Sequence, residues 1–157
     1  MEVTELAEIL TARGETVSVA EADTCGLVGY MLGTVPGASK YFPGGVIAYS
    51  GGTKQRILGV PDDLYNTHGT VSEEMAVAMA RGVRELTATD YALSVTGVTG
   101  PGPGSRNTPI GTFFIGLSVK DGQDHAIQVH LDGDRDAIKR AVAQEALDLL
   151  GRHLTGG

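Results

Sequence analysis

An α/β fold, with a mixed sheet covered by helices on both faces, is what this sequence predicts, and two observations carry the prediction. Early in the chain, apolar runs of strand character at residues 16–20, 44–50 and 90–97 are separated by segments with helical apolar spacing. Later the order changes. Residues 110–119 and 126–131 read as antiparallel partners across Lys120-Asp121-Gly122-Gln123, and a last helix follows. Strands joined through helices run parallel, whereas a hairpin adds antiparallel members, so the two patterns together give a mixed sheet.

Taken in order, residues 2–13 place Val3, Leu6, Ile9 and Leu10 on one helical face, and Gly14 supplies the stop. Val17 and Val19 alternate with Thr16, Ser18 and Ala20, which predicts a strand with one face buried. The bend Glu21-Ala22-Asp23-Thr24-Cys25-Gly26 follows, and a helix from about Cys25 to Gly33 leaves it, with Asp23 or Thr24 as its cap. Val35-Pro36-Gly37 breaks that helix. Residues 44–50 predict a second buried strand, and Gly51-Gly52-Thr53-Lys54 turns from it into a short helix ending at Gly59. Pro61 opens a further helical turn. Ser72 is the expected cap of a helix running to about Leu86, with Met75, Val77, Met79, Val83 and Leu86 in its core-facing set. After the third strand, residues 98–109 are too rich in proline and glycine to be regular, and an active-site loop is favoured over a linker. Gly133-Asp134-Arg135-Asp136 opens the final helix.

At 157 residues the chain has one domain's length, and no repeat or composition shift divides it. The formal charge of −7 argues against nucleic acid or an acidic membrane surface as partner, since both call for clustered Lys and Arg. The lone Cys25, with neither a signal peptide nor an apolar run of spanning length, fits a cytoplasmic protein. His68, His125, His130 and His153 lack metal-ligand spacing, so no structural metal is expected.

Three polar bends stand at strand ends: the one after Glu21, the one from Tyr49-Ser50 to Lys54, and the loop from Gly97 to Gly111. In an open α/β sheet such ends converge on one crevice. A lysine beside hydroxyls and backbone donors is compatible with amide hydrolysis of the Ser–Lys type, and with an anionic small molecule as ligand. Arg135 reads either as a ligand contact or as a residue that holds the helix start.

Ala20-Glu21 with Thr24 and Gly26, Tyr49-Ser50 with Lys54, His68-Gly69 with Val71-Ser72-Glu73, Ser94-Val95 with Gly97, Gly100-Pro101, Pro109 with Gly111-Thr112, and Gly133-Asp134-Arg135 occur in this order along nearly the whole chain. On these blocks the sequence resembles the C-terminal domain of the competence/damage-inducible CinA proteins, whose stand-alone members are nicotinamide-nucleotide amidases. The resemblance implies a three-layer α/β sandwich. It also implies hydrolysis of the carboxamide of nicotinamide mononucleotide to nicotinate mononucleotide and ammonia, with no metal or organic cofactor. A small-molecule nucleotide is the expected partner, and a homo-oligomer the expected assembly.

By that resemblance and the turn chemistry together, Lys54 is the expected base, Glu21 and Tyr49 orient it, and Thr24 stands among the catalytic groups. The turn amides around Thr24 and Cys25 would stabilise the oxyanion. Ala22, Gly26, Ser50, Gly97 and Thr112 complete the expected substrate contacts, with the phosphate near Gly100, Gly102, Gly104, Ser105 and Arg135. One departure stands out. The family reads A-E-S-C-T-G-G at the first bend, so Ala22 occupies the place of the nucleophilic serine and Asp23 that of a neutral cysteine. Gly51 also stands where the family commonly has asparagine. Three readings follow: an amidase in which Thr24, Ser50 or a Lys54-activated water replaces the serine, a nucleotide-binding module without turnover, or an oligomeric interaction protein.

Overall fold

The computed structural model describes all residues, 1–157. Helix α1 (Val3–Arg13) ends where Gly14 enters the left-handed region at φ 65° and its amide returns to the carbonyls of Leu10 and Thr11. Strand β1 (Val17–Glu21) leads to α2 (Leu27–Gly33), and β2 (Gly44–Ile47) leads to α3 (Gly51–Leu58) and α4 (Asp62–His68). Helix α5 (Glu73–Thr87), capped by Ser72 as expected, precedes β3 (Tyr91–Gly97). Strands β4 (Thr112–Val119) and β5 (His125–His130) form the hairpin, and α6 (Arg135–Thr155) closes the described chain.

The five strands lie in the order β2-β1-β3-β4-β5. β1 pairs in parallel with both β2 and β3, and the remaining pairs are antiparallel. This is the mixed sheet the sequence predicts. The chain leaves β1 toward one neighbour and later returns to pair β3 on its other side. The order therefore reverses at β1, and the crevice beyond its carboxyl end is where open α/β sheets take their ligands.

Two strand predictions need correction. β1 is buried at all five positions, because an internal strand with helices on both sides has no solvent face. β2 is instead an edge strand with alternating half-buried and exposed positions, and Ile47 is 52% exposed. On α5, Met75, Met79 and Val83 are buried as expected. Leu86 points outward and Val77 is half-buried, while Ala76 and Ala80 take the inner positions.

The two faces differ in side-chain size. Toward α1, α2 and α6 the sheet presents Val17, Val19, Leu93, Val95, Ile115 and Leu117 in the larger apolar cluster. Toward α5 it presents Ser18, Ala20, Ala92, Ser94 and Gly116. Small residues let α5 approach closely: Ser94 Oγ donates to the Ala76 carbonyl at 2.5 Å. The same closeness joins α5 to α3, since a Cβ on Gly82 would lie 2.1 Å from the Leu58 carbonyl oxygen. Gly82→Ala must push the two helices apart, and overpacking of this kind costs roughly 1–3 kcal/mol. A fall of several degrees in Tm is expected on thermal denaturation, and an unchanged Tm would show that α3 does not bear on α5.

Candidate active site

Strand periodicity decides what the first bend can do. Along β1, Val17, Val19 and Glu21 face α2 and α6, whereas Ser18, Ala20 and Ala22 face α5. Glu21 therefore turns away from Ala22. Its carboxylate is 1% exposed and reaches the start of α2, accepting from the amides of Gly26 at 3.0 Å and Val28 at 3.1 Å through Oε2, and of Gly29 at 2.8 Å through Oε1. It satisfies the donors that open a helix. This corrects two expectations: neither Asp23 nor Thr24 caps α2, and Glu21 is engaged with the helix rather than with Lys54. Gly26 itself is the helix N-cap, with φ 98°.

The rest of the bend sorts its backbone donors. The Cys25 amide is taken by the Ala22 carbonyl at 3.2 Å and the Gly26 amide by Glu21, so neither is open to an oxyanion. The amides of Asp23 and Thr24 make no hydrogen bond within the chain. On either side of the bend the ladder carries on past β1: the Ala22 amide donates to Val95 and the Ala48 amide to Glu21. Three strand ends are thereby held side by side.

Lys54 enters from α3, whose N-cap is Ser50: its Oγ accepts from the Thr53 amide at 3.2 Å and lies 2.9 Å from Thr53 Oγ1. Ser50 is thus committed to the cap. The Lys54 side chain is 2% exposed, and its Nζ donates to the Tyr49 carbonyl at 3.2 Å, its one hydrogen bond in the chain. Burial pushes the ammonium below its ordinary pKa, with the negative charge of Asp23 acting in the opposite sense. Burial likewise pushes the Asp23 carboxyl up, against the pull of Lys54, Arg135, the Thr99 amide and Lys139. Each shift carries the group toward its neutral form.

A chain of polar contacts joins the three bends. Asp23 Oδ2 accepts from Thr99 Oγ1 at 3.5 Å, and Arg135 Nη1 donates to Thr99 Oγ1 at 2.6 Å and to the Gly100 carbonyl at 2.5 Å. Arg135 Nη2 donates to the Tyr49 hydroxyl at 3.0 Å, and the Tyr49 carbonyl receives Lys54. Asp23, Thr99, Arg135, Tyr49 and Lys54 are thus one network, drawn from β1, β3, β2, α3 and α6. Arg135 is more than the start of a helix, a role filled by Asp134, which caps α6 through the Ala137 amide.

Other expected contacts have different duties. Gly97 ends β3 where a Cβ would meet the Phe113 ring at 2.1 Å, so its smallness serves packing. The Gly104 amide closes the loop on the Thr108 carbonyl, and Ser105 begins a single 3₁₀ turn over Ser105–Asn107. Gly102 has open space around it. Thr112 is buried at the start of β4 and takes no part in the network. Thr99 and Lys139 were not singled out by sequence reasoning. The available signals were a hydroxyl two residues past β3 and a cation one helical turn after Arg135.

Thr24 is 3% exposed, and its hydroxyl is the buried side-chain oxygen without a partner. It borders a cleft of about 320 Å³ with Cys25, Gly26, Tyr30, Asp136 and Lys139. A larger hollow of about 460 Å³ lies between α1 and residues 35–41. It holds none of the network, so the assignment rests on the polar groups and not on hollow size. No group of three or more His, Cys, Asp or Glu is arranged to hold a metal ion, and no helix is long and apolar enough to cross a membrane.

Comparison with known proteins agrees with the fold. The family model described as CinA C-terminal domain matches residues 2–154. A CinA-like protein of Solibacter usitatus is 45% identical over 143 residues, covering 90% of this chain and 34% of the relative. A putative competence-damage inducible protein of Halothermothrix orenii is 41% identical over 150 residues, covering 96% of this chain and 36% of the relative. The chain thus spans about a third of the length of these curated relatives. Among solved structures, the competence damage-inducible protein A of Klebsiella pneumoniae superposes with TM-score 0.94 at 28% identity, covering 98% of this chain and 94% of that one. The competence/damage inducible protein CihA of Agrobacterium tumefaciens superposes with TM-score 0.88 at 30% identity, with 99% and 96% covered. With the family model matching almost all its residues and the fold superposing on solved members, the chain belongs to the CinA C-terminal domain family.

Proposed function

We propose that the crevice at the end of β1 binds a pyridine nucleotide and hydrolyses its carboxamide, taking nicotinamide mononucleotide to nicotinate mononucleotide and ammonia. The observation that supports this most is the network itself: a desolvated lysine, a carboxylate, an arginine fork and two unpartnered amides around one strand end. An amide carbonyl under attack needs donors where its oxygen becomes negative, and the Asp23 and Thr24 amides are the free ones at the bend. Arg135 spends three of its five donors on Thr99, Gly100 and Tyr49, and its remaining Nη2 and Nε hydrogens are the ones suited to a phosphate. Lys54 supplies buried positive charge.

A single observation favours a second reading, nucleotide binding without turnover. Ala22 is 1% exposed in the smaller apolar cluster and presents a methyl group where a hydroxyl would attack. One substitution separates the readings. Ala22→Ser is expected to raise ammonia release from nicotinamide mononucleotide by roughly tenfold or more, since a hydroxyl would then stand at that strand end. The check is an ammonia assay on both proteins with calorimetry of the nucleotide alongside. Binding without ammonia from either protein would favour the module, and no binding by either would remove both readings.

A further inference from the structure

We propose that Asp23 is the general base of this site, activating a water that attacks the carboxamide carbon directly, with the Lys54 ammonium adding its charge to the free Asp23 and Thr24 amides that receive the developing oxyanion. The inference rests on the amidase reading above and adds to it the identity of the base and the absence of an acyl-enzyme.

Near the bend the Cys25 thiol is free and exposed, whereas the hydroxyls are engaged or shielded. Ser50 Oγ is held as the cap of α3, Thr99 Oγ1 is clamped by Arg135 at 2.6 Å, and the Thr24 hydroxyl is shielded from solvent. Asp23 differs from all of these. Its carboxylate is half-buried and makes only a long contact with the Thr99 hydroxyl, at 3.5 Å, and one with the Thr99 amide. A carboxylate accepts about four hydrogen bonds, so this one keeps acceptor capacity for a water. The charged groups that face it are Lys54 from α3 and Arg135 and Lys139 from α6, with no acidic neighbour among them. Lys54 and Asp23 act on one another without forming a direct ion pair, so the carboxylate is not neutralised by a contacting cation. Burial brings the carboxyl closer to neutrality, and a carboxylate so raised is a stronger base than an exposed one.

The step balances. One proton of the water passes to Asp23 as the water oxygen bonds to the carboxamide carbon, and the carbonyl electron pair moves onto the oxygen that the two bend amides and Lys54 serve. When that pair returns, the C–N bond breaks, and the proton held on Asp23 goes to the departing nitrogen. Ammonia and the nicotinic acid group leave, and the carboxylate is regenerated.

The test uses nicotinamide mononucleotide with the full chain and with Asp23→Asn, which preserves size and removes the basic oxygen. General bases contribute about 10²–10⁴-fold. The expected result is a fall in kcat of about a hundredfold or more, with calorimetric Kd changed by less than about threefold. The wild-type rate should fall as pH drops through the Asp23 pKa, at a pH above the ordinary carboxylate range, and this acid limb should vanish from the residual rate of the variant. Mass spectrometry of quenched turnover should find no adduct. An Asp23→Asn rate close to wild type overturns the base assignment and leaves the amidase reading standing. An adduct on Thr24, Cys25 or Ser50 also overturns it alone. Wild-type binding without ammonia overturns both. Should Asp23→Asn not fold, absence of the acid limb in the wild-type profile overturns the assignment by itself.

Discussion

Glu21→Ala is expected to lower folding stability by about 3 kcal/mol or more, seen as an earlier urea midpoint and a lower Tm. The carboxylate accepts from three amides at the start of α2 while being 1% exposed, so its removal leaves donors that water cannot easily reach. Hydrogen bonds to charged groups contribute about 1.5–3 kcal/mol each, though contributions within one cluster do not simply add. Against a typical total of about 5–15 kcal/mol, such a loss would leave much of the chain unfolded on mild heating. Glu21→Gln keeps one acceptor oxygen and should fall between. A loss below about 1 kcal/mol for Glu21→Ala would show that the helix start finds other partners. The cap also carries a functional consequence, because the same bend places Asp23 and the two open amides. Loosening α2 would release them.

Arg135→Ala is expected to weaken nicotinamide mononucleotide binding by about thirtyfold or more, equivalent to about 2 kcal/mol. One guanidinium ties Tyr49, Thr99 and Gly100 together, and no other side chain in the network makes more than two such links. Its loss frees the edge-strand end that carries Tyr49 and takes away the fork offered to a phosphate. Arg135→Lys retains the charge without the fork, so only partial recovery is expected. Titration calorimetry of the three proteins decides it, and affinities within threefold of one another would place the phosphate elsewhere.

The readable and unreadable parts of the site differ in kind. Ser72 and Gly14 could be read because a cap acts over three or four residues, a range that spacing reports directly. The hairpin was readable for the same reason. Glu21 was misjudged because its alternatives, orienting a distant lysine or closing the next helix, differ only in which face of β1 it occupies relative to α2. That depends on strand parity and helix placement together. Ser50, Gly97 and Gly104 looked like ligand contacts since polar and small residues at strand ends serve either ligands or the chain itself. In the fold, a cap, a ring contact with Phe113 and a loop-closing amide use them up. The burial of β2 was overestimated for a related reason: a short apolar run looks alike in the middle and at the edge of a sheet.

What the sequence alone determined is the class of fold, the order of its elements and the strand ends that carry polar groups. These are local or periodic properties, and a linear string records them in full. Only the tertiary structure decided that β1 lies between β2 and β3, that Glu21 belongs to α2, and that Asp23, Thr99, Arg135, Tyr49 and Lys54 form one network. Those outcomes depend on which strand adopts which neighbour, and therefore on contacts between residues up to 86 positions apart, whose proximity arises when the sheet and its covering helices assemble.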